Sequence, residues 1–302
     1  MKTFPFVDAH VHLWDLSHIH YPWLTPPFDE AKPAGSTEAI ARNYGLDDYL
    51  ADAANWDVRA IVHVDAGADP ADALKETEWL EAMAASRGMP NAIIAFAALS
   101  DPNLEAVLAA HAAHPHVRGI RHIVGWHGDG ARTYARRDVT GDADWQAGFA
   151  LLKKHDLSFD CQVYPSQFSN MASLIARHPG TQVIVNHLGM PIVTDPDGRA
   201  VWRAGLNQLS ALPNVAIKLS GAGFIHRDWT EDSVRPWMLE VIDFFTPSRC
   251  LVASDFPTDK LFGTFDRHLS AYRNILSAFS EDEQRAMWGR NAARLYGLDI
   301  EV

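Results

Sequence analysis

The 302-residue chain contains only two cysteines, Cys161 and Cys250. Two distant cysteines build neither a disulfide framework nor a CxxC metal or redox site, and both stand in apolar, strand-like runs where a small buried hydrophobe fits. Nowhere does an apolar run approach the roughly 20 residues a membrane span requires. The N-terminus lacks the uninterrupted apolar core of a secretion signal, because Asp8 and His10 break it almost at once. These absences lead to the expectation of a cytoplasmic protein with no membrane partner. Positive charge is also scarce: 26 Lys and Arg stand against 38 Asp and Glu, a net −12, which argues against a nucleic-acid surface. With 47% hydrophobic and 21% charged residues the composition is that of a globular protein, and a small-molecule ligand is expected. Homo-oligomerisation is left open.

What the chain does contain is a recurring alternation. Short β-rich runs fall near 59–66, 91–99, 117–124, 157–163, 181–187, 214–221 and 249–256, and the opening "FPFVDAHVHLWDL" adds an eighth. Helical stretches with caps lie between them: 70–87 stops before Gly88, 142–156 opens after Asp142, and 280–296 begins with the capping box of Ser280 and Glu283. Eight such β/α units with no linker predict one domain over 1–302, a (β/α)8 TIM barrel rather than a doubly wound sheet. Two irregular insertions, about 14–44 and 125–141, are too long to be simple connections. Trp14, Tyr21, Trp23 and Phe28 in the first argue against disorder, so both are expected to fold over the C-terminal mouth.

The opening run poses the functional question. Val7, Ala9, Val11 and Leu13 fall on one parity, and Asp8, His10 and His12 on the other. Strict alternation would send the apolar set outward, under the helices, and put the polar set in the barrel interior. Other strand ends also carry ionisable or amide groups: Arg121 and His122, Asp160 and Gln162, His187, Lys218 and Ser220, and Asp255. Buried polar groups are costly without partners, so this many converging on one mouth reads as a site. Adjacent Arg121 and His122 point to opposite faces of an ideal strand, which leaves open which of them faces inward. Lys218 either pairs with Asp160 or touches substrate, and His187 is either a site residue or a core histidine bonded to backbone. Gln162, Tyr164 and Trp126 are candidate hydrogen-bonding residues, and Trp23 either stacks on a ligand or packs under the lid.

The motifs "DAHVH", "NHLG" at His187, "SDFP" at Asp255 and the closing "GRNAARLYGL" resemble the amidohydrolase superfamily. "YPWL", "GIRH" and "IKLSG" narrow the resemblance to its branch of sugar-lactone hydrolases and pyrone-dicarboxylate lactonases, across nearly the whole chain. The resemblance implies a barrel enzyme that hydrolyses a cyclic ester, with functional roles for His10, His12, His187 and Asp255. Asp255 is expected to act as general base and acid, while the three histidines polarise the carbonyl or hold a metal. Arg121, His122, Gln162, Tyr164, Trp126, Lys218 and Trp23 are the expected substrate contacts. Metal-dependent members commonly place a histidine at the end of strand 5, where this chain has Gln162. Catalysis without a metal is therefore expected, with one Zn²⁺ on His10, His12 and Asp255 as the alternative.

A sugar-acid lactone of fuconolactone or rhamnonolactone type is the first expectation for substrate. A carboxylated lactone, muconolactone or pyrone dicarboxylate, comes second and would need a cationic cluster from Arg121, Arg132, Arg136 and Arg137. Metal-dependent decarboxylation ranks third, and a non-catalytic barrel that binds a sugar acid is the alternative of another class.

Overall fold

The computed structural model describes residues 4–302. Eight parallel strands follow one another around a single sheet: β1 (Phe6–Val11), β2 (Val58–Val64), β3 (Ala92–Phe96), β4 (Val117–Arg121), β5 (Ser158–Cys161), β6 (Val183–Val185), β7 (Val215–Leu219) and β8 (Cys250–Val252). The last strand meets the first at its C-terminal end. Val11 bridges Phe256, the Asp255 amide donates to the His10 carbonyl (2.9 Å), and the His12 amide donates to the Phe256 carbonyl (2.8 Å). The protein is thus a single-domain, nearly closed TIM barrel, as the alternation of runs predicts.

Each strand is short and nearly all buried, because side chains fill the barrel inside and helices cover it outside. Val7, Ala60, Ile94, Ile184, Ala216 and Leu251 belong to the inner cluster, plugged from the C-terminal segment by Tyr296. The outer layer is aromatic: Phe159 meets Trp145 and Phe149 edge to face, with ring centroids 5.9 and 5.5 Å apart. Fully burying an apolar side chain of this kind contributes roughly 1.5–3 kcal/mol. Cys161 and Cys250 are buried free thiols, in keeping with their apolar surroundings.

The capped helices appear where capping residues place them. Ala73–Arg87 stops at Gly88, which takes φ +75° as a left-handed cap. Ala143–Leu151 continues as a tight turn to His155 and ends at Asp156 with φ +54°. Ser280 Oγ accepts from the Glu283 amide (3.4 Å) while Glu283 returns a bond to the Ser280 amide (2.9 Å), so the predicted box forms. The helix beyond it is interrupted, however, by a wider turn at Ala286–Arg290 before resuming at Asn291–Leu295.

The first insertion is ordered around its aromatics. Trp14 Nε1 donates to the Arg42 carbonyl (2.6 Å), Tyr21 Oη donates to Glu76 (3.0 Å), and both rings are buried. The second insertion is tied to the barrel through Gln167, whose side-chain amide donates to the Val124 carbonyl (3.0 Å) and to Asp138 (2.8 Å).

One expectation about β1 fails. Asp8 and Val11 oppose Ile61 and His63, three steps on β1 against two on β2, which is the mark of a bulge. Val7 and Ala9 accordingly belong to the interior cluster, whereas Val11 and Leu13 pack in the outer core. Asp8 turns outward, accepting from Tyr49 Oη (2.9 Å) on the helix Leu46–Asp52 and from the Ser254 amide (2.9 Å). The strict alternation that grouped Asp8 with the two histidines is broken by one extra residue, and only His10 and His12 reach the cavity side.

Candidate functional site

His10 and His12 end β1, and they meet His187 and Asp255 from the far side of the barrel. His10 Nε2 and His12 Nε2 lie 3.2 Å apart, and Asp255 Oδ1 is 3.5 Å from the former and 3.2 Å from the latter. His187 Nδ1 stands 3.9 Å from Asp255 Oδ2 and 3.0 Å from Ser220 Oγ. All four residues are at least 95% buried.

The backbone that delivers them is strained. Asp255 sits at φ +58° and His187 at φ +51°, left-handed conformations that cost a non-glycine residue free energy and persist where the surroundings impose them. Gly221 makes the second possible. It adopts φ +74°, and a Cβ there would lie 2.7 Å from the Cβ of His187, so only glycine lets the "KLSG" turn pass beneath the imidazole.

Ring orientation is set by outer partners. The Val64 carbonyl lies 2.7 Å from His12 Nδ1 and accepts its proton, leaving the Nε2 lone pair directed at Asp255. His10 Nδ1 faces Lys218 Nζ at 3.2 Å, which turns its Nε2 toward the cavity. Lys218 is itself fully buried and ion-paired with Asp160, whose Oδ2 also accepts from Tyr296 Oη (3.2 Å). Lys218 therefore lies under the floor and does not border the cavity, the pairing reading of the two left open by sequence.

Arg121 is the inward member of its pair. Its guanidinium donates to the Asp65 carboxylate (3.1 Å) and carbonyl and to Gln162 Oε1 (3.0 Å), with Nη1 3.5 Å from His10 Nε2. His122 turns the other way, where its Nδ1 accepts from the Leu99 amide and Trp145 Nε1, both at 3.2 Å. Asp65 escaped the sequence reading. Its only signal was an acid immediately after the β2 run, the position at which barrel enzymes hold functional groups.

Burial dominates the electrostatics. Desolvation pushes the His187 imidazole down to about 4 and holds those of His10 and His12 well below their ordinary range, with Lys218 and Arg121 respectively adding repulsion. The same desolvation raises the Asp255 carboxyl, opposed by the neighbouring His187, Arg121 and Lys218. Asp8, deeper and outward, is raised by burial to about 6.

Above the four residues opens a cavity of about 550 Å³, bordered by His12, Trp23, Asp65, Arg121, His122, Gln162, His187 and Asp255. Tyr164 instead borders a neighbouring rim cavity of about 330 Å³ together with Lys32, Arg132 and Arg227. Trp126 borders neither. The cationic cluster considered for a dianionic substrate does not assemble: Arg132 pairs with Asp129, Arg137 pairs with Asp142, and of the four arginines only Arg121 reaches the main cavity.

The donor set fits a divalent metal. His10, His187 and Asp255 each offer a ligand atom within 4.8 Å of the others, and both Asp255 oxygens, fully buried, lack a hydrogen-bond partner among the described residues. His12 Nε2, 3.2 Å from Asp255 Oδ1, is a further donor at the same point.

A buried His/Asp centre at the C-terminal mouth of a TIM barrel of eight βα units defines a class of metal-assisted hydrolases. The chain matches the amidohydrolase family over residues 7–298 and belongs to it. It is 38% identical to the uncharacterized protein y4mH of Sinorhizobium fredii, over 98% of this chain and 99% of that one. With the L-fucono-1,5-lactonase of Burkholderia multivorans it shares 29% identity over 97% of this chain and 96% of the relative. A crystal structure of an amidohydrolase from Burkholderia multivorans with bound zinc superposes with a TM-score of 0.80 at 27% identity, covering 97% of this chain and 99% of the other.

That zinc-bound relative, with the His10, His187 and Asp255 group, corrects the expectation of catalysis without a metal. Loss of the strand-5 histidine was the reason for it. The structure shows why that loss is insufficient: Gln162 is occupied by Arg121, while His187 and Asp255 bring donors from β6 and β8 to the β1 histidines.

Proposed function

We propose that the protein is a sugar-lactone hydrolase that binds one Zn²⁺ through His10, His187 and Asp255, with His12 as a further donor. The observation that carries the reading is the Asp255 carboxylate: buried, held at a positive φ, without a hydrogen-bond partner among the described residues, and facing three imidazoles. The lactonase name of the 29% identical relative supports the choice of a cyclic ester as substrate.

Zinc bound there supplies Lewis acidity, which polarises a carbonyl and makes a water more acidic. The chain's own part is proton transfer and charge placement. Asp255 accepts the proton of a water whose oxygen adds to the lactone carbonyl carbon, and returns it to the ring oxygen as the acyl C–O bond breaks, giving a hydroxy acid. Burial raises the Asp255 carboxyl, which favours its taking up the proton in this exchange. Arg121, locked by Asp65 and Gln162, holds fixed positive charge beside His10, where the oxyanion develops, at no reorganisation cost.

The test is acid production in weak buffer after L-fucono-1,5-lactone is added to the zinc-loaded protein. Ring opening well above the spontaneous rate is expected, abolished by a strong chelator and restored by zinc. Absence of acid from this and from other sugar lactones would sink the reading.

A further inference from the structure

We infer that the preferred lactone carries a hydrocarbon substituent on its ring, seated against the wall that the first insertion builds over the site; this rests on the lactone hydrolysis proposed above. The main cavity has two unlike ends. Its floor is ionic, made by the strand-end residues His12, Asp65, Arg121, His187 and Asp255. Its outer wall is apolar, with Pro22, Trp23, Phe28, Phe96, Tyr134 and Phe224 around the approach to the floor.

The polar atoms that Trp23, Thr25 and Thr37 bring to this wall are already committed to protein partners. Trp23 Nε1 donates to the Ala66 carbonyl (2.7 Å), Thr37 Oγ1 donates to the Trp23 carbonyl (2.7 Å), and Thr25 Oγ1 donates to the Tyr21 carbonyl (3.0 Å). Gln162 Oε1 accepts from Arg121. A substrate hydroxyl pressed against the Trp23 and Phe28 side of the wall would leave water without gaining a partner, which is unfavourable, whereas a methylene gains about 4-fold in binding for its burial.

The wall is also built before any ligand arrives. Trp23 packs edge to face on buried Trp14 with ring centroids 5.5 Å apart. Its other side is closed by Gly67, at φ +74°, where a Cβ would come 3.0 Å from Trp23 Nε1. A volume of about 550 Å³ falls within the roughly 300–1,000 Å³ of sites for drug-sized ligands and exceeds the need of a bare six-membered ring.

A matched pair of substrates tests this: δ-valerolactone and δ-nonalactone, which share a ring and differ by one butyl group. With the zinc-loaded protein, and each rate divided by its hydroxide-catalysed rate, kcat/KM for δ-nonalactone is expected to exceed that for δ-valerolactone at least tenfold. Trp23→Ser and Phe28→Ser should each lower that ratio. A wild-type ratio below tenfold, with L-fucono-1,5-lactone still opened, overturns the inference and leaves the hydrolase standing. Failure to open any of the three lactones would remove both.

Discussion

The floor and the wall of the main cavity are built by different means. Floor residues sit at the ends of parallel strands, and three of them are fixed by a further partner: His12 by Val64, Arg121 by Asp65, His187 by Ser220. The wall comes largely from one long connection whose order depends on aromatic packing and on a few side-chain bonds to backbone. Rigid strands suit groups that must hold a reacting atom within tenths of an ångström, whereas a loop can change composition without disturbing the barrel. On the proposed function, reaction type belongs to the first and substrate preference to the second.

The sharpest way to break that division is at Asp255. Asp255→Asn keeps the shape and removes the base, so kcat should fall on the order of 10²- to 10⁴-fold in initial-rate measurements on a sugar lactone. A variant that folds normally and turns over at the wild-type rate would take the floor out of the chemistry. Next in size is Gly221→Ala. Its Cβ would force apart the β7 turn and His187, so zinc affinity measured by competition with a chromogenic chelator should drop roughly 10- to 100-fold. Unchanged zinc affinity would mean that His187 does not hold the ion. On the wall, Phe28→Ala should act through binding, raising KM about 3- to 30-fold for an alkyl-substituted lactone with a smaller effect on kcat. An effect confined to kcat would erase the distinction between the two regions.

The two regions were also unequally legible in sequence. The eight strands, the caps at Gly88 and Ser280, and the gathering of His10, His12, His187 and Asp255 follow from local patterns that strands and helix ends impose. Pairing with Asp160 was one of the two readings left open for Lys218, and the structure brings the two together from β7 and β5. What local pattern cannot carry is anything decided by one extra residue or by distant partners. The bulge between Asp8 and Val11 has no residue signature, so Asp8 was grouped with the histidines although it bonds Tyr49 outside the barrel. Metal use depends on which four strand ends converge, and absence of a histidine on one of them misled. Trp126 and Tyr164 lie in or beside the second insertion, whose path is fixed by Gln167, 43 residues beyond Val124.

The smallest expected effect concerns His122, whose neighbour Arg121 belongs to the floor while its own imidazole serves the scaffold. Its Nδ1 lone pair accepts from Leu99 and Trp145, and burial pushes the imidazole down to about 4 from 6.5. A histidine lowered in the folded state binds its proton first in the unfolded chain. The stability it contributes is therefore complete above about pH 6.5 and is lost as pH falls toward 4, by roughly 2 to 3 kcal/mol over the whole window. His122→Gln retains an acceptor for Leu99 or Trp145 but cannot titrate. Urea unfolding at pH 7.5 and pH 5 should then show a smaller loss on acidification for the variant than for the wild type, by about 1 to 2 kcal/mol. Equal losses in the two proteins would place the proton elsewhere among the buried histidines, and would return His122 from the scaffold to the cavity it borders.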